Sequence, residues 1–75
     1  MELVPVSSSN IEAVGYDAST LVMVIQFKGE RGKPGGRYKF LGVLPKHHAD
    51  LMAAKSVGSH FHAHIKGKYQ TEKIG

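Results

Sequence analysis

The chain contains no cysteine and no tryptophan, only three prolines, and six acidic residues against ten lysines and arginines. Without thiols there is no disulfide framework, thiolate metal centre or redox pair, so a fold of this size needs either a tidy core or self-association. No long apolar run is present, and Met1 to Val6 lack the pattern of a secretory leader, so a soluble cytoplasmic protein with no membrane contact is expected. At 75 residues the chain is one domain. An enzyme cleft between two lobes does not fit in it, and a homo-oligomer is the natural remedy for a thin core.

Charge is laid out unevenly. Residues 1–27 hold no cation and three acids (Glu2, Glu12, Asp17), a balance of −3, whereas residues 28–75 hold all ten cations and three acids, a balance of +7. A sequence pI near 9.6 with clustered cations points to phosphate-bearing partners.

Residues 20–28 are β-branched and apolar with a period of two, which predicts a central strand with Leu21, Met23, Ile25 and Phe27 on one face. Val22 and Val24 make the other face apolar too, so it seeks cover from a helix or a second subunit. An earlier strand over Asn10 to Tyr16 joins it through the turn residues Asp17, Ala18 and Ser19. Gly29 to Gly36 holds four glycines and a proline in eight residues and reads as a long hairpin loop. Arg37 to Val43 alternates again, with Tyr38 and Phe40 on one face and Arg37 and Lys39 on the other.

Pro45 suits a first helical position, and the helix it opens should run to Lys55, with Gly58 as a break. A second helix is expected from a Ser59 cap through Lys66 to Gly67, burying Phe61 and Ile65, with residues 70–75 as a flexible polar tail. The expected fold is therefore α+β: a three-stranded antiparallel β-meander followed by two short α-helices packed on one face.

The ordered pieces Val6-Ser7-Ser8-Ser9-Asn10-Ile11, Val14-Gly15-Tyr16-Asp17, Tyr38-Lys39-Phe40, Val43-Leu44-Pro45, Ala54-Lys55-Ser56-Val57-Gly58-Ser59-His60-Phe61 and Ile65-Lys66 resemble the KTSC domain. That short module occurs alone in bacterial and phage proteins and at the carboxyl end of some lysyl-tRNA synthetases. The resemblance spans Pro5 to Tyr69 and implies the fold more than an activity, RNA binding being suggested for the family through the synthetase fusion. The chain departs from the family in its long cationic glycine loop and in His47-His48.

The main candidate site is a basic face of Arg37 and Lys39 from the third strand, Arg31 and Lys33 from the loop, and Lys66 and Lys68 beyond the second helix, converging on phosphate. Tyr38 and Tyr69, each flanked by cations, are candidate base-stacking rings, whereas Tyr16, Phe40 and Phe61 read as core. Ser8 and Asn10 offer hydroxyl and amide groups, for a ligand or simply for the strand-head turn. The glycine loop lacks Walker A spacing, and no nucleophile elbow is present.

Five histidines are many for this length. His60 and His64, one turn apart, fit as donors to an anion beside Lys66. Alternatively they are metal ligands with His47 or His48 as the third, although no carboxylate is near in sequence.

These features lead to an expected non-catalytic binder of a small phosphate-bearing nucleotide. Its nearest functional type is a stand-alone sponge of the kind phages use to sequester host immune signals, acting in the bacterial cytoplasm. An RNA-binding module, and a histidine-based metal-binding or protein-interaction domain, are the alternatives. No motif implies a cofactor.

Overall fold

The computed structural model describes residues 1–29 and 35–75. Five strands form one antiparallel sheet in chain order: β1 (Val4–Pro5), β2 (Ile11–Asp17), β3 (Val22–Phe27), β4 (Arg37–Leu41) and β5 (Gln70–Lys73). Helix α1 (Pro45–Ala53) and helix α2 (Val57–His60), which runs on into a π-helical turn (Phe61–Ile65), are inserted between β4 and β5. The expected meander is thus the centre of a larger sheet.

The two additional strands lie at the edges. β1 is two residues long, carries Pro5 and pairs with β2 through Val4–Val14 and Pro5–Ala13, a placement proline tolerates because an edge leaves its missing donor unneeded. β5 is the segment expected to be a flexible tail. It pairs with β4 from Leu41–Gln70 to Tyr38–Lys73, and Ile74 N–H donates to the Arg37 carbonyl at 2.8 Å. All four of its side chains are exposed, so its order comes from the backbone ladder to β4.

A register shift between Ile11 and Ala13 turns Glu12 out to solvent. The bulge lets Ile11, Val14 and Tyr16 share the helix-facing side of β2 despite their irregular spacing. With Met23, Ile25, Phe40, Val43, Leu51, Val57, Phe61 and Ile65 they make the core and its border. On the opposite face the chain's own first residues give part of the cover expected from a second subunit. Leu3 Cδ2 lies 2.8 Å from where a Gly15 Cβ would stand, and Val24 is buried.

The helices begin and end differently from expectation. α1 starts at Pro45 as expected but stops at Ala53, two residues short of Lys55, with Ala54 N–H donating to the Leu51 carbonyl. The second helix is capped by Ser56, whose hydroxyl accepts from Ser59 N–H at 3.2 Å, three residues before the expected cap. Gly58 lies inside it. Its role is close approach: an added Cβ would sit 2.6 Å from Asn10 Oδ1 and 3.1 Å from Ser8 Oγ. Lys66 N–H then donates to the Phe61 carbonyl at 2.8 Å, the wider π-type bond, and Gly67 ends the segment at φ +76°.

Candidate functional site

A groove of about 410 Å³ opens on the helix-facing side of the sheet, between β4 and β5 and the π-helical turn. Its lining comes from segments far apart in the chain: Asn10, Phe27, Tyr38, Phe40, Phe61, His62, Lys66, Gly67 and Thr71. Phe40 and Phe61 are buried and form its floor; Phe27 and Tyr38 are half-buried walls. The rings meet edge to face, with centroids 5.7 Å apart for Phe27 and Tyr38, 5.4 Å for Phe27 and Phe61, and 5.7 Å for Phe40 and Phe61. Such contacts fix ring orientations while leaving part of each π surface open.

The polar groups stand on the rim. Ser8 Oγ donates to Asn10 Oδ1 at 3.0 Å and accepts from the Asn10 and Ile11 N–H groups at 3.3 Å. Ser8 therefore builds the turn that holds Asn10, whose Nδ2 lies 3.4 Å from His62 Nε2. Lys66 and Thr71, also in the lining, are exposed.

Among the described residues the expected basic face does not assemble. Strand alternation puts Tyr38 and Phe40 over the core and Arg37 and Lys39 on the reverse side of the sheet. There Arg37 Nε donates to Gln26 Oε1 at 2.9 Å, and Lys39 Nζ lies 4.0 Å from Glu72 Oε1. Lys68 is exposed and lines neither hollow described here. Arg31 and Lys33 lie outside the described residues. Of the four described cations of that set, Lys66 is the one found in the groove.

A second hollow, about 330 Å³, lies between α1 and the second helical segment and is lined by His47, Asp50, His60, His64, Ile65 and Tyr69. Tyr69, a candidate stacking ring, instead has its hydroxyl 2.8 Å from His47 Nδ1. The His60 and His64 rings are 4.6 Å apart between centroids and stand away from Lys66, so they do not share its groove. His48 stacks on Tyr16, centroids 4.4 Å apart and planes 11° from parallel, and burial lowers its pKa. Burial raises the Tyr16 pKa, helped by the charge of Asp17, while the Ser19 hydroxyl and N–H hold Asp17 below the usual carboxylate range.

Sequence reasoning placed Asn10, Tyr38 and Lys66 at a site and missed Phe27, His62, Gly67 and Thr71. It assigned Phe40 and Phe61 to the core, where their buried edges do lie, without seeing that their other edges floor a groove. For His62 a signal existed: two positions from both His60 and His64, it must project from a different side of the helix. For Thr71 there was none, because an exposed polar strand has no hydropathy pattern.

A five-stranded antiparallel sheet with two helical segments on one face defines a small α+β domain. The KTSC domain profile matches residues 7–69, and the chain belongs to that family. A crystal structure of a KTSC domain protein from Yersinia pestis superposes with a TM-score of 0.88 at 40% identity, covering 99% of this chain and 97% of that one. A protein of Tsukamurella paurometabola is 35% identical over 66 residues, 88% of this chain and 91% of its own length.

Proposed function

We propose that the protein is a non-catalytic binder of a small phosphate-bearing nucleotide, acting by sequestration, and that the ligand sits in the aromatic groove. One observation carries this reading: a hollow with four aromatic rings in its walls and floor also carries, among the described residues, one cation, Lys66, together with the polar side chains of Asn10, His62 and Thr71. A volume of about 410 Å³ suits a ligand of nucleotide size. The base would lie against Tyr38 and Phe27, the phosphate would reach Lys66, and Asn10 would meet the polar edge of the base. Stacking on an aromatic ring contributes ~1–3 kcal/mol per base, and a charge-assisted bond to phosphate ~1.5–3 kcal/mol.

The test is calorimetry with mononucleotides, cyclic dinucleotides and ADP-ribose. At least one should bind, Tyr38→Ala and Lys66→Ala should each weaken it about tenfold or more, and Lys39→Ala should leave it unchanged. Absence of heat across the whole panel, or loss of binding on Lys39→Ala with none on Lys66→Ala, would sink the proposal. Ligand recovered chemically unaltered after denaturing the complex is the expected sign of sequestration.

A further inference from the structure

We propose, given the nucleotide reading of the groove, that it selects guanine-type bases over adenine, Asn10 and His62 presenting two hydrogen-bond donors to the O6 and N7 acceptors of the base.

Asn10 is held so that its amide can turn only one way. Ser8 Oγ accepts from the Asn10 and Ile11 N–H groups at 3.3 Å, which occupies its lone pairs, so its own hydrogen goes to Asn10 Oδ1 at 3.0 Å. With the amide reversed, three donors would crowd one hydroxyl oxygen and the hydroxyl hydrogen would lack an acceptor. Gly58 closes the same side, since an added Cβ there would lie 2.6 Å from Oδ1. The backbone is pinned as well, Lys28 N–H donating to the Asn10 carbonyl at 2.9 Å. The amide oxygen is therefore spent on the Ser8 turn, and Nδ2 is the atom turned to His62.

That orientation sets the tautomer of His62. Nδ2 lies 3.4 Å from His62 Nε2, and a ring nitrogen that meets an N–H must offer its lone pair, so the ring proton sits on Nδ1. Asn10 keeps its second amide hydrogen and His62 its Nδ1–H, and both residues line the groove. The pair thus offers a ligand donors, with its acceptors already engaged. Guanine carries two adjacent acceptors, O6 and N7, on one edge; adenine carries N7 beside an amino group, which would set a donor against a donor. Ile11 pairs with Phe27 in the β2–β3 register, so a base lying on the Phe27 ring has Asn10 beside its edge.

His62 is the histidine that the groove takes up. Among the described residues no three His, Asp or Glu side chains are placed to hold a metal ion, so the alternative expectation of His60 and His64 as ligands with His47 or His48 is not met.

Calorimetry compares the monophosphates of guanosine (GMP), inosine (IMP) and adenosine (AMP) with the deaza analogue of GMP that has carbon in place of N7. GMP and IMP share the O6–N7 edge and should bind alike; AMP and the deaza analogue should each bind about tenfold or more weaker. Asn10→Asp keeps an acceptor for Ser8 and replaces the Nδ2 donor with an oxygen, so the ratio of GMP to AMP affinity should collapse towards one. His62→Phe keeps an exposed ring, removes its donor and leaves the Ser8 turn untouched, and it should narrow the same ratio with an unchanged circular dichroism spectrum, whatever Asn10→Asp does to folding. AMP or the deaza analogue bound as tightly as GMP, IMP bound as weakly as AMP, or a ratio unmoved in His62→Phe would overturn the guanine preference while leaving the groove a nucleotide site. Absence of heat from every nucleotide would overturn both.

Discussion

At the scale of single residues, Gly58 joins the fold to the groove. Its bare Cα lets the second helical segment rest on the Ser8–Asn10 turn, and Asn10 Oδ1 lies only 2.6 Å from where a Cβ would stand. That oxygen is not free to move, because Ser8 Oγ donates to it at 3.0 Å. Gly58→Ala should therefore lower stability by about 1–3 kcal/mol through overpacking, and it should weaken any ligand that Asn10 helps to hold. Gly15 is the control. Its added Cβ would meet Leu3 Cδ2 at 2.8 Å, the Glu2 carbonyl oxygen at 3.1 Å and Met1 Cγ at 3.1 Å, all on residues that precede the first strand and have only to give way by a few tenths of an ångström, so Gly15→Ala should lose less than about 1 kcal/mol. Equal losses in urea denaturation would refute this account of Gly58.

At the scale of elements, α1 begins without a side-chain cap. Leu44 occupies the capping position with an extended backbone (φ −72°, ψ 150°), makes no capping hydrogen bond, and is 43% exposed. No acidic residue stands in the first turn to meet the helix dipole. Leu44→Asp should raise stability by about 1 kcal/mol, read as a shift in denaturation midpoint at neutral pH. A fall would mean that the Leu44 side chain contributes packing its exposure does not suggest.

The elements also differ in how far they could be read beforehand. β2, β3 and β4 announced themselves through apolar alternation, and α1 through Pro45, because each signal is local to its segment. β1 and β5 carry no such signal: one is two residues with a proline, and the other, Gln70-Thr71-Glu72-Lys73, is wholly exposed. The cap of the second helix lies three residues earlier than the sequence suggests because Gly58, which reads as a breaker, serves by its smallness a contact with residues almost fifty positions away.

At the scale of the whole molecule, the split of −3 and +7 along the sequence does not become a charged face among the described residues. β4 divides its residues between two sides of the sheet, so Arg37 and Lys39 are turned away from Lys66. A ligand in the groove meets one described cation, and its affinity should depend weakly on salt, with log K against log[salt] falling at a slope no steeper than about −1. An RNA spanning several cations would give about −0.7 for each phosphate contacted. Measuring nucleotide and RNA binding across a salt series separates the two. A steep slope for RNA with no nucleotide binding would favour the RNA-binding role.

The order of amino acids by itself determined the α+β class, the three central strands, the start of α1 and the family, because periodicity, turn chemistry and ordered motifs belong to short stretches of chain. It also pointed to some of the residues of both hollows, Asn10, Tyr38 and Lys66 in one and His47, His60, His64 and Tyr69 in the other. Only the tertiary structure decided how they are grouped. Asn10, Tyr38, Lys66 and Thr71 meet because β5 returns to pair with β4 and Gly58 lets a helix settle on a turn. Arg37 and Lys39, adjacent to Tyr38 in sequence, are parted from it by the pleat of one strand. His62 faces one hollow while His60 and His64 face the other, because neighbours in a helix diverge in direction and the elements packed around them settle what each side chain meets.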